Sequence, residues 1–260
     1  MPEVEQRMEQ LPGAVADAVT TVDAFATPSV VTGWTRPAYL AIALFFTGVV
    51  TWGFWRSYFG PLLAGTADRP WVVHLHAAVF VGWVLLLVAQ AALVATGRLR
   101  WHRQIGTAGM LYGALVFLVG VLVSVLAPAL RVRAGEFPIE VGGMVAIYSL
   151  ADLLLFGAFL ACAFAYRSRP DVHKQWVIAA TAALGGAAIG RVLKADSPEY
   201  LLTWLAPVLA LVVIDLATRR RLRTVPLVSG ALIVVAFFKV QLLAAPVWRA
   251  VGAALLRPFV

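Results

Sequence analysis

Long apolar runs broken by short charged loops dominate this chain. Seven runs fall at about 37–57, 72–96, 106–128, 143–166, 175–194, 200–217 and 226–247. Each is near the ~20 residues that an α-helix needs to cross a bilayer. No run alternates apolar and polar positions as a half-buried strand does. The pattern predicts an all-α integral membrane bundle of about seven transmembrane helices, residues 37–247. Residues 1–36 read as a cytoplasmic N-terminal arm and 248–260 as an interfacial tail. The arm opens on Glu3, Glu5 and Glu9, with no basic segment or apolar core of a signal peptide.

The loops give an orientation. Arg98, Arg100 and Arg103 lie between runs two and three, Arg167, Arg169 and Lys174 between four and five, and Arg219, Arg220, Arg221 and Arg223 between six and seven. The opposite loops mix signs. The positive-inside rule therefore predicts a cytoplasmic N-terminus. Composition agrees: 62% of residues are hydrophobic and only 13% charged, and mean hydropathy is +0.87. The net charge of +8 belongs to these loops, so anionic lipid headgroups are the expected partners and nucleic acid is not. Arg98, Arg100, Arg103 and Lys174 are the candidate lipid-phosphate contacts. Oligomeric state is not legible. Cys162, the single cysteine, lies inside an apolar run and reads as a packing residue.

Two basic loops repeat a pattern. His102-Arg103-Gln104 and His173-Lys174-Gln175 lie 71 positions apart, which suggests that spans two to five are an internal duplication. Gly106, Gly113 and Gly120 in run three, and the Ala/Gly-rich run five, suit close helix packing and predict that both runs are central. Two neutral imidazoles can hold a b-type haem, and a quinone headgroup could sit in the same place. The basic neighbours suit lipid phosphate equally.

Polar residues inside the runs mark a second candidate site. His76, Tyr148, Asp152 and Lys239 fall in apolar runs, and Arg191 closes run five. Such residues usually face a protein interior or an aqueous pathway. Asp152 and Lys239 fall at similar depth in the outer half, which predicts an ion pair. His74 lies about 200° around the helix from His76, so the two cannot share a partner. His76 is roughly 30 Å from the level of His102, by rise per residue.

The residues Gln90, Arg98, Arg100, His102, Arg103 and Gly106, then His173, Lys174, Trp176 and Arg191, resemble an uncharacterised family of bacterial polytopic membrane proteins with H-R-x-x-G and H-[RK]-x-W loop motifs. The likeness covers roughly 72–194. The layout is also similar to diheme transmembrane cytochromes of the b561 kind, but run four has no histidine to pair with His76. A lysine in the seventh run invites comparison with retinal proteins; position 235 is valine where those carry an aspartate, and run three has no acidic residue. No phosphate-binding loop, H-E-x-x-H or paired-cysteine metal motif occurs.

Three readings follow. The leading one is redox or electron transfer, with a haem b or quinone near His102 and His173. The alternatives are a small-molecule or proton-coupled transporter with an outer-half polar cavity, and a non-catalytic scaffold or sensor. No pair of broken helices, the usual mark of many transporters, is visible in the sequence. Whether the chain catalyses a reaction is open at this point.

Overall fold

The computed structural model describes residues 35–243 and 245–260; the expected arm lies outside them except for its last two positions. Helix α1 runs Thr35–Phe54 and continues through one π turn, Trp55–Phe59, into Gly60–Leu63. It is followed by α2 (Trp71–Ala95), α3 (Leu99–Arg133) and α4 (Ile139–Ala165). Next come α5 (Pro170–Ala183), the short α6 (Gly186–Ile189) and α7 (Pro198–Arg219). The last are α8 (Thr224–Phe237), α9 (Lys239–Leu242) and α10 (Pro246–Leu256). Among the described residues there is no strand.

The local sequence explains most boundaries. Gly97 and Gly135 take φ of 76° and 72°, a region glycine enters without a Cβ clash. Each closes a Schellman turn. After α2, Arg98 N–H reaches Leu93 O at 2.8 Å and Gly97 N–H reaches Val94 O at 3.1 Å; after α3, Glu136 and Gly135 repeat this on Arg131 and Val132. Pro170, Pro198 and Pro246 open α5, α7 and α10, where a missing N–H costs nothing. Ser197 Oγ accepts the Tyr200 N–H at 3.2 Å and caps α7.

Five helices are long and apolar enough to cross a bilayer: Thr35–Leu63 and α2, α3, α4 and α7. The chain is a multi-pass helical membrane protein. The expected fifth and seventh crossings are not single helices. Run five stops at Ala183 and run seven at Phe237. Side chains of α7 bond the carbonyls on either side of the fifth break: Trp204 Nε1 donates to Ala182 O at 2.7 Å and Tyr200 hydroxyl to Gly186 O at 3.2 Å. A Cβ on Gly186 would come 2.9 Å from the Tyr200 hydroxyl oxygen. The broken pair that the sequence did not reveal is therefore present.

Helix α4 packs along α3, α5 and α10. Helix α5 is the buried centre, touching α1, α4, α7 and α8, with Ala179, Ala180, Ala182 and Ala183 inside. Helix α3 is peripheral, contrary to the glycine-based expectation: Leu111 is 73% exposed and Leu115 and Leu118 also face outward. Its glycines lie on one face, with Gly113 and Gly120 against Leu160 and Leu153 of α4 and against Trp83 and Phe80 of α2. The expected tail is part of α10, docked on α4 where Gly252 meets Gly143. A Cβ on Gly252 would lie 2.6 Å from the Gly143 carbonyl carbon, an approach only small residues allow.

Candidate functional site

Helices α5 and α8 are 14 residues each, a rise of about 21 Å, so each covers roughly two thirds of a ~30 Å hydrocarbon core. Both start at the face that carries His102, His173 and Arg219, here the basic face. Both end inside the bundle, and the carbonyl ends of helices favour cations. Lys239 lies two positions past the end of α8 and opens α9. Its ammonium donates to Asp152 Oδ2, as expected from the sequence, and lies 3.5 Å from Tyr148 O and 5.6 Å from the centre of the Trp204 ring. The two side chains are 16% and 14% exposed. Asp152 Oδ1 is shielded and has no partner.

The rest of the predicted outer group is nearby in part. His76 stacks on Phe80, centroids 4.0 Å apart, and its Nδ1 is buried without a partner. Arg191 is close enough for its charge to act on His76. Its guanidinium lies 4.2 Å over the Phe54 ring and bonds Ala187 O. His74 turns elsewhere, 3.0 Å from the Tyr58 hydroxyl, as the helical angle requires. Tyr148 contributes its backbone carbonyl to Lys239. Trp83 Nε1 donates to Thr181 Oγ1 at 3.2 Å and ties α2 to α5 just before the break.

At the basic face, His173 and His102 lie within electrostatic range of each other, on helices that both pack along α4. His173 Nδ1 lies 2.8 Å from Ala163 O. That contact requires Nδ1 to carry a proton, so in the neutral ring the lone pair is on Nε2. His102 Nδ1 is buried without a partner. Arg98, Arg100 and Arg103 are exposed. Lys174 is turned inward, 3.6 Å from Asp171 and 4.6 Å over the Tyr39 ring.

A further cluster was missed by sequence reasoning. Asp215 is 2% exposed and Gln175 is fully buried. Gln175 Nε2 donates to Asp215 Oδ1 at 2.9 Å, and Arg223 N–H donates to Oδ2 at 3.3 Å. Arg219 bonds Asp171 Oδ2, and Arg223 lies 3.0 Å from the same oxygen. The network joins the starts of α5 and α8 to the end of α7. The signal was available: Asp215 is an acid inside run six, and Gln175 follows the second His-Lys pair.

Burial raises the Asp171 carboxyl, but Lys174, Arg223 and Arg219 outweigh it and hold it below its ordinary 3.8. A depressed carboxyl stabilises the fold above its unfolded pKa and loses that contribution as pH falls through the folded value. Asp171→Asn is therefore expected to lower the thermal midpoint in detergent at pH 6, with the gap to wild type closing toward pH 3. A gap that stays constant across this range would contradict the assignment. No family model, curated protein or solved structure matches this chain.

Proposed function

We propose that this is a proton-coupled transporter of a small cationic solute, with Asp152 as the exchange site. The observation that carries the reading is the Asp152–Lys239 pair at the inner ends of two interrupted crossings. Discontinuous helices place unpaired backbone ends and charges at depth, where a bare ion is costly. Lys239 acts as a tethered cation that a solute cation or a proton on Asp152 displaces. His76 and Arg191 flank the path on the side away from the basic face. Proteoliposomes with a trapped pH dye, challenged with Na⁺, K⁺ and a set of small amines, are expected to show solute-driven proton flux. Asp152→Asn/Lys239→Met should abolish it. Flux no different from protein-free liposomes, or full flux in the double variant, overturns the reading.

A second reading, redox chemistry at the basic face, is favoured by His173, whose Nδ1 donates to Ala163 O so that the neutral ring carries its lone pair at Nε2, and by His102, whose Nδ1 is buried without a partner. These donors suit a b-type haem or a quinone headgroup. The resemblance to the polytopic family with H-R-x-x-G and H-[RK]-x-W loops is part of the same proposal, as is a basic face on the cytoplasmic side against anionic lipid.

A further inference from the structure

Three buried hydrogen-bonding atoms on adjacent helices have no partner: Gln90 Nε2 and Oε1 on α2 and His102 Nδ1 on α3. A Cβ at Gly106 would sit 3.7 Å from Gln90 Oε1, so the amide lies against the turn that follows His102. A buried polar group without a partner is costly, and folded proteins carry few of them. Three in one place are what a bound polar group would satisfy.

An apolar groove of about 300 Å³ runs between the same two helices, lined by Gly82 and Leu86 of α2 and Ile105, Ala108, Gly109 and Tyr112 of α3. At its far end the Tyr112 hydroxyl is already used, donating to Val79 O at 3.0 Å. At the basic-face end the stripe of lining residues continues to Gln90, four positions after Leu86, and His102, three before Ile105. That is one further helical turn, about 5–6 Å. The site is thus an open apolar groove in which Gly82, Ala108 and Gly109 make room, with neutral donors and acceptors one turn beyond its lining.

We infer that this groove binds a prenylated quinone, tail along α2 and α3 and ring at Gln90 and His102. The unpartnered atoms carry no cation, so a phosphate headgroup finds no match among them. A quinone carbonyl accepts from Gln90 Nε2, and a quinol hydroxyl donates to Gln90 Oε1. The His102 ring also bonds the Gln90 backbone, which leaves Nδ1 of the neutral imidazole as an acceptor for a quinol hydroxyl. The inference deepens the redox reading and rests on it only for what the bound molecule does. Occupancy itself stands on the groove and the unpartnered atoms.

The test is a titration of purified protein in nanodiscs with decyl-ubiquinone, read by quenching of tryptophan fluorescence. Wild type is expected to quench saturably. Gln90→Leu and His102→Phe should each weaken binding about tenfold or more. Gly109→Phe should weaken binding of decyl-ubiquinone but not of the tail-less ring. Gln90→Leu also carries its own control of folding: removing an unsatisfied buried amide should leave the thermal midpoint unchanged or raised while binding falls. Linear, unsaturable quenching overturns the proposal, as does an unchanged affinity in Gln90→Leu or equal competition by phosphatidylglycerol. Saturable binding without a Soret band or electron transfer keeps the site and removes the redox reading.

Discussion

Lys239→Met should destabilise the protein by about 3–5 kcal/mol, the cost of leaving one member of a buried ion pair behind. Asp152 would remain on α4 with Oδ2 deprived of its donor and Oδ1 already without one. Asp152→Asn should cost less, because the amide oxygen still accepts from the ammonium. The double variant Asp152→Asn/Lys239→Met should recover most of the loss, since a neutral pair of similar volume carries no buried charge. A thermal-midpoint cycle on the four proteins in one detergent measures this. Additive shifts would mean that the two side chains are not coupled, and the exchange site would lose its basis. Recovery of stability with loss of flux would separate the charge needed for function from the packing needed for folding.

Asp215→Ala is expected to cost about 3–5 kcal/mol for a related reason. The side chain is 2% exposed and receives Gln175 and the Arg223 backbone, with Arg223 Nε 3.9 Å away. Its removal leaves Gln175 without any partner for its amide, because Gln175 Oε1 is unpartnered already. Asp215→Asn keeps the shape and one acceptor, so a loss nearer 1–2 kcal/mol is expected. The loss should extend to function, because α5 and α8 begin in this network and end at the Asp152–Lys239 pair. A midpoint for Asp215→Ala within measurement error of wild type would show that the network does not hold those helices.

The membrane class and all five long crossings, Thr35–Leu63, α2, α3, α4 and α7, were legible because burial in lipid requires continuous apolar helices with every backbone group satisfied. The glycine turns after α2 and α3 were not singled out, although Gly97 and Gly135 stand plainly in the loops. The pairing of Asp152 with Lys239 was legible from depth alone: rise per residue places both at one level, and a charge there needs a counter-charge. His74 and His76 diverge as their angular separation dictates.

What escaped was decided across helices. Run five reads as one apolar segment, and nothing within it announces that Trp204 and Tyr200, 22 and 14 positions later, bond the carbonyls of Ala182 and Gly186 beside the break. Run seven likewise breaks at Phe238, where Lys239 turns to Asp152 on another helix. The glycines of run three were legible as packing residues but not as a one-sided surface, because periodicity gives a face and not the number of neighbours. Asp215 and Gln175 were not singled out, and they meet only where α5, α7 and α8 come together around them. By itself the sequence determined the solvent, the helices and the depth of each charge, since these follow from transfer energies and helical rise. Only the tertiary structure decided which helices break and which polar atoms meet or stay unmatched, since a hydrogen bond depends on a partner that the local chain does not contain.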